Sequence, residues 1–192
     1  MSAGGDHSCA LRTDGTVSCW GDNSRGQADA PSGSFTQVSA GGRHSCGLRT
    51  DRTIDCWGDN DSGQATAPSG SFTQVSAGGD HSCGIRTDGA VHCWGNNFLG
   101  QTNTPSGSFT QVSTGSRRSC GLRIGGTISC WGEPSEKWPS GSFTPAGSFT
   151  AVSVGCGLRT DGTITCWGDH FGATVPSGSF TRVSTYTAVA VS

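Results

Sequence analysis

Two cysteines ten positions apart, Cys9 and Cys19, flank a Thr-Asp-Gly in the stretch HSCALRTDGTVSCW at residues 7–20. A histidine and a serine precede the first cysteine, so the residue types suit a metal site, a redox pair, a nucleophile with its base, or a disulfide. The ten cysteines of the chain include no C-x-x-C, which argues against zinc ribbons and thioredoxin-like motifs. An even number of regularly spaced cysteines favours a disulfide framework in an oxidising compartment.

The same stretch recurs along the chain, so its chemistry belongs to a repeat. A Cys-Trp pair marks each repeat, at intervals of 37, 37, 37 and 36 residues. In the last interval GSFT is duplicated, at Gly141 and Gly147, and the GGDHS that precedes the first cysteine elsewhere is missing. We divide one domain, residues 1–192, into repeat units at about 1–32, 33–69, 70–106, 107–146 and 147–177, followed by a closing strand and tail at 178–192.

Each unit consists of short runs that alternate apolar and polar residues, such as Phe-Thr-Gln-Val-Ser, separated by Gly-Gly, Asp-Gly and Pro-Ser-Gly. Such runs predict strands, and the Gly and Pro clusters predict turns. Three or four short antiparallel strands per unit are typical of a propeller blade, so the sequence predicts an all-β, five-bladed β-propeller. We expect the C-terminal GSFTRVS, residues 178–184, to supply the strand that the first unit lacks and thereby close the ring.

The strand register predicts the disulfides. A three-residue hairpin loop centred on Asp14 ends in Gly15, which suits the left-handed position of such a loop. This loop places the two cysteines in a non-hydrogen-bonded pair with Cα atoms about 4.5 Å apart, close enough for a disulfide. In the second unit Arg52 takes the left-handed position, at an expected cost of about 1 kcal/mol. The five expected bonds are Cys9–Cys19, Cys46–Cys56, Cys83–Cys93, Cys120–Cys130 and Cys156–Cys166.

The repeat pattern VSAGG-x-HSC-x-LRTDGT-x-x-CWG-(D/N)N-x-x-GQ resembles that of the regulator of chromosome condensation family, and the resemblance covers residues 1 to 186. It points to bacterial members with a paired cysteine in each repeat. The resemblance implies a β-propeller, although family members usually have seven blades of longer repeats. Five repeats imply a compact five-bladed ring or an incomplete ring that another chain completes. Some members exchange nucleotides on a small GTPase and one bacterial propeller inhibits β-lactamase, but no residues specific to either activity match this sequence.

Composition argues against several partner classes. The net charge is −2 and charged residues make up 14% of the chain, without the basic stripe that binds phosphates, so we expect no nucleic-acid partner. No apolar run reaches the roughly 18 residues of a spanning helix, so we expect no membrane insertion. The N-terminus lacks an export-signal pattern, yet the cysteines favour an extracellular or cell-surface protein. We expect no cofactor and no metal.

Repetition also argues against catalysis. His-Ser occurs at His7, His44 and His81, and because one active site does not need three copies, we expect each histidine to bond to a turn backbone. The DND at residues 59–61 begins like a calcium loop but lacks the glutamate at its twelfth position. The tryptophan after each second cysteine is assigned to packing between blades. An arginine before each turn either joins an anion-binding ring or pairs with the turn aspartate: Arg12, Arg49, Arg86, Arg123 and Arg159.

The repeats differ in the loop after each Trp-Gly, which reads DNSRGQ, DNDSGQ, NNFLGQ, EPSEKWPS and DHFGAT. The last three loops carry large side chains, and because their blades are neighbours we expect one exposed binding patch. Its residues are Phe98, Leu99, Trp138, His170 and Phe171.

The sequence therefore favours a non-enzymatic protein that binds another macromolecule, a protein or a glycan, through its variable loops. Carbohydrate binding stays an alternative, although a lectin would repeat similar sugar pockets around the ring. A structural or filament subunit is a second alternative, in which residues 186–192, at the end of the alternating TYTAVAVS, mediate self-association with a neighbouring chain.

Overall fold

The computed structural model describes residues 1–133, 142–167 and 177–181. Blades one and two contain β1 (Ser2–Ala3), β2 (His7–Leu11), β3 (Val17–Gly21), β4 (Phe35–Ala40), β5 (His44–Arg49) and β6 (Ile54–Gly58). Blade three contains β7 (Phe72–Ala77), β8 (His81–Arg86) and β9 (Val91–Gly95), and blade four contains β10 (Phe109–Thr114), β11 (Arg118–Arg123), β12 (Ile128–Gly132) and β13 (Ser142–Phe143). Blade five contains β14 (Phe149–Ser153), β15 (Cys156–Arg159) and β16 (Ile164–Cys166).

Each blade is a separate antiparallel sheet whose strands follow chain order. Four blades have three strands in the described residues, and blade four has a fourth strand, β13, that pairs with β12. β13 is the first copy of the duplicated GSFT, and the second copy begins blade five at β14. The five-bladed, all-β prediction is confirmed, and the duplication turns out to extend one blade before it starts the next.

The predicted hairpin register is confirmed in the five blades. Cys9 lies opposite Cys19 and Leu11 opposite Val17 in blade one, and the same pairing recurs along the chain. Five disulfides join the predicted pairs at Cα–Cα distances of 4.0–4.1 Å, so all ten cysteines are bonded. Arg52 adopts the expected left-handed conformation, with φ of 71°.

The hydrophobic core lies between the blades. One cluster combines Cys46, Leu48 and Ile54 of blade two with Phe72 and other residues of blade three, and similar clusters fill the other blade interfaces. The first strands of consecutive blades, such as β4 and β7, contact each other, and each middle strand packs on the first strand of the following blade.

The C-terminal segment follows blade five. The Phe180 amide donates a 2.8 Å hydrogen bond to the Gly162 carbonyl, as the Phe35 amide does to Gly15. The rest of the expected closing strand, residues 182–184, lies outside the described residues, and closure of the ring stays a prediction. Within the described ranges, no helix is long and apolar enough to cross a membrane.

Candidate binding loops

The His-Ser pairs lie in the interfaces between blades, where the first three histidines each reach the serine of the next blade. His44 Nε2 is 2.8 Å from Ser82 Oγ, and the His7–Ser45 and His81–Ser119 distances are 2.7 and 2.8 Å. The sequence predicted a bond to a turn backbone, which His44 makes with Gly79, but it did not predict the serine partner. The serine partner is 38 residues along the chain, and only the packing of one blade on the next brings it near.

The serine of each pair has a second partner besides the histidine, which favours a structural role for these pairs. Ser82 Oγ lies 2.8 Å from His44 Nε2 and also donates to the Gln64 carbonyl at 3.1 Å. Both side chains are fully buried, and burial lowers the pKa of His44 to about 4. The pair therefore links two blades through a neutral imidazole.

The arginines before the turns have structural partners, although not the expected ones. Arg49 forms an ion pair with Asp55, and its guanidinium lies 4.8 Å from the centroid of the Phe35 ring. Arg123 and Arg159 likewise bond to the residue six positions later, Ser129 or Thr165. The turn aspartates instead accept hydrogen bonds from the residue two positions on, as Asp51 does from Thr53. Pairing with the turn aspartates is thus wrong, and four of the five guanidiniums stack on a phenylalanine ring.

The DND stretch of blade two serves its loop and an ion pair. The Asp61 amide donates to Asp59 Oδ1 at 3.2 Å, and Arg25 of blade one lies 3.1 Å from Asp61 Oδ2. Among the described residues, no group of three or more His, Cys, Asp or Glu side chains could hold a metal ion.

The loops after Trp-Gly share one backbone design in the first three blades. A glutamine that is almost fully buried, Gln27, Gln64 or Gln101, accepts a hydrogen bond from the amide two residues before it, at 2.8–2.9 Å. The asparagine oxygen of each loop accepts another bond from the amide five residues on. These bonds fix the loop through residues that all three repeats share, so the two variable positions at its tip do not determine its shape.

Phe98 occupies a variable tip position and is 89% exposed. Its amide donates to Asn96 Oδ1 at 2.8 Å, the bond that Ser24 and Asp61 make at the equivalent positions. The loop therefore forms equally with serine, aspartate or phenylalanine at its tip, and the Phe98 ring does not anchor it. Leu99, the other predicted residue of this loop, is partly buried.

The other three residues of the predicted patch, Trp138, His170 and Phe171, lie outside the described residues. Their clustering with Phe98 stays a prediction. The structure adds two exposed apolar side chains that the sequence reading did not select. Ile124, in a turn where the other repeats have threonine, is 71% exposed, and Trp20, assigned to packing, is 50% exposed. The sequence could have pointed to residue 124, because isoleucine stands there in place of the threonine of the other repeats.

Segments of the first three blades, residues 1–27, 35–64 and 72–101, match the family model of the regulator of chromosome condensation (RCC1) repeat. The chain contains repeats of the RCC1 family. The matched segments contain the disulfide hairpins, the inter-blade histidines and the loop glutamines of the first three blades. No curated protein matches the sequence of this chain.

Several solved structures share this arrangement of blades. The ectodomain of the Physcomitrella patens receptor kinase CR4 is 32% identical with a TM-score of 0.72, and the match covers 92% of this chain and 52% of that one. The CRINKLY WD40 ectodomain of the Arabidopsis thaliana receptor kinase ACR4 is 30% identical with a TM-score of 0.75, over 91% of this chain and 66% of that one. Prp20p of Saccharomyces cerevisiae, at 15% identity and a TM-score of 0.69, covers 85% and 56% and shows the fold alone.

This RCC1-repeat chain thus spans about half to two thirds of the length of the solved structures that it resembles.

Proposed function

We propose that this RCC1-repeat chain is a non-enzymatic, extracellular protein-binding module, and that the blade-three loop with Phe98 at its tip contacts the partner. One observation carries the proposal. The Phe98 ring is 89% exposed, and the hydrogen bonds that fix its loop do not involve the ring. Aromatic side chains dominate the energetics of protein interfaces, because one ring buries a large apolar area with little loss of conformational freedom.

The extracellular location is supported by two observations. All ten cysteines form disulfides, which persist in oxidising compartments and are rare in the cytosol. Two solved relatives that are 30% and 32% identical are ectodomains of receptor kinases.

The loops argue for a protein partner over a sugar partner. A lectin built on repeats would place similar side chains at equivalent positions, whereas the tip residue is Ser24, Asp61 or Phe98 in the first three blades. The polar tips of blades one and two are also tied together by the ion pair from Arg25 to Asp61. Of these three loop tips, the apolar tip of blade three is therefore the one best suited to bind in an apolar pocket of a partner protein.

Site-specific photocrosslinking tests this assignment. A benzophenone amino acid replaces Phe98 in one variant and, as matched controls, Ser24 and Asp61 in two others, because the three loops share one backbone. We expect the probe at residue 98 to crosslink a protein from the extracellular fluid of the source organism, and we expect Phe98→Ser to weaken capture of that protein by at least about tenfold. Equal crosslinking from all three positions, or capture unaffected by Phe98→Ser, would contradict the proposal.

A further inference from the structure

The turn between the first and second strands carries a charged residue at the same position in blades one to four, and the sign of its charge alternates. These residues lie at intervals of 37 and are Asp6, Arg43, Asp80 and Arg117. All four are exposed. The turns therefore present a row of negative, positive, negative and positive side chains.

The change of sign between blades two and three is isolated in the sequence. Residues 30–47 and residues 67–84 are identical except at this position, where Arg43 stands in one repeat and Asp80 in the other. The bonds of the turn use only the backbone of this residue, whose carbonyl accepts the amide of the first residue after Trp-Gly at 2.9 Å in both blades. In the described part of the chain neither side chain forms a hydrogen bond or an ion pair. Both charges are thus available to a partner.

Backbone hydrogen bonds between the turns hold the row in place. The Gly42 amide donates to the Gly78 carbonyl of the next blade at 2.8 Å, and the Gly5 and Gly79 amides make the equivalent bonds at 3.0 Å. The turns of consecutive blades therefore lie in contact, and the four charged positions follow one another at a spacing of one blade.

A row with this order of signs is complementary to the same row on a second copy of the chain. A twofold axis between blades two and three brings blade two of one copy opposite blade three of the other, and blade one opposite blade four. Arg43 then faces Asp80 of the second copy, twice in each dimer, and Asp6 faces Arg117 in the same way. An axis through blade two or blade three would instead bring like charges together. The outer contacts contribute less, because Arg117 already lies 3.2 Å from Glu133 of its own blade.

We infer that two copies of this chain associate through the charged turns of blades one to four, with reciprocal contacts between Arg43 and Asp80 at the centre. The small net charge of −2 does not oppose this association. Exposed ion pairs are individually weak, so the dimer is weak and sensitive to salt, and the charges act mainly by fixing its orientation. The inference goes beyond the proposed function and does not rest on it, because Phe98 lies on the loop after the third strand.

Charge reversal with rescue tests the inference. We expect the wild-type chain to dimerise in sedimentation-velocity runs at about 50 mM salt and to dissociate at about 500 mM salt. Arg43→Asp or Asp80→Arg alone should weaken the dimer by at least about tenfold, because two like-charge contacts replace two attractive ones. An equimolar mixture of the two variants should recover a 1:1 complex, because every central contact then joins opposite charges.

Two controls separate this contact from other effects. The reversed residues are exposed, so the Tm of each variant should stay within about 2 °C of wild type, which excludes a loss of folding. Arg52→Asp changes the net charge as Arg43→Asp does, but in the turn at the opposite end of the same blade, and should leave the dimer intact. A wild-type chain that is monomeric at both salt concentrations would overturn the inference. A mixture of variants that stays monomeric, or an Arg52→Asp loss equal to that of Arg43→Asp, would overturn it as well.

Discussion

The interface between blades two and three differs from that between blades four and five, although both join neighbouring copies of one repeat. At the first interface the Gln37 side chain bonds to both the amide and the carbonyl of Val75, and His44 reaches Ser82. At the second, the Gln111 oxygen accepts from the Val152 amide at 3.1 Å, but Arg118 stands where the histidine would be.

Gly155 shows why the serine was lost together with the histidine. In blade two, four residues connect Ala40 to Ser45, whereas in blade five the deletion leaves Val154 and Gly155 between paired residues Ser153 and Cys156. Gly155 has φ of 90°, a conformation that favours glycine over serine. The short turn therefore disfavours a serine at this position on backbone grounds. The interface between blades four and five thus keeps the glutamine bond, a bond from the Val154 amide to Ser113 Oγ and a hydrophobic cluster, without a histidine link. We expect the histidine link to add stability where it is present.

Acidification should produce the largest difference between the two interfaces. Burial lowers the pKa of His44 and of His81 from 6.5 to about 4, so between these pH values the unfolded chain binds protons that the folded chain does not. Stability is therefore lost as pH falls from about 6.5 to 4, by about 3 kcal/mol for each histidine. Chemical unfolding at a series of pH values measures this loss, and a free energy of unfolding that stays constant over the window would refute it.

Removing one histidine should have the next largest effect. His44→Ala deletes a fully buried side chain and its bond to Ser82, so we expect about 3 kcal/mol lower stability at pH 7 and a shallower pH dependence. Arg118→Ala is the matched change at the other interface, where the side chain is only partly buried, and should cost less than about 1 kcal/mol. If urea unfolding gave equal losses of stability for His44→Ala and Arg118→Ala, the histidine link would not stabilise its interface more than the arginine stabilises the other.

The smallest expected effect concerns the turn of blade five. Gly155→Ser places a side chain at φ of 90° and should destabilise the chain by about 1 kcal/mol. Arg118→His in the same chain should not recover the loss, because the turn holds the serine backbone in a strained conformation. Recovery in the double variant, measured by thermal unfolding, would show that the missing link at this interface can be restored by side chains alone.

Local sequence predicted the features that depend on short-range geometry. The disulfides, the strand pairing and the strained Arg52 follow from a three-residue turn and from alternation along two adjacent strands. The same reasoning could have predicted the partner of Arg49. Thr53 lies opposite Arg49 in the hairpin, and Asp55, two residues further along, lies on the same face.

The partners of the histidines and tryptophans could not be predicted in this way. His44 and Ser82 are 38 residues apart, and Trp57 reaches the Gln27 carbonyl 30 residues before it. These bonds depend on how one rigid blade packs on the next, which no local pattern specifies. For the same reason the half-exposed Trp20 resembles its buried equivalents in sequence and differs only in what lies beside it.

The central claim is that an interface with a histidine link is more stable than an interface without one. Native-state hydrogen exchange tests this claim most directly. The Val75 amide, bonded to Gln37, and the Val152 amide, bonded to Gln111, are matched reporters of the two interfaces. Because only the first interface also has a histidine link, we predict that Val152 exchanges through a partial opening whose free energy is about 2 kcal/mol below that of Val75. The same opening free energy at both amides, or a lower one at Val75, would contradict this account.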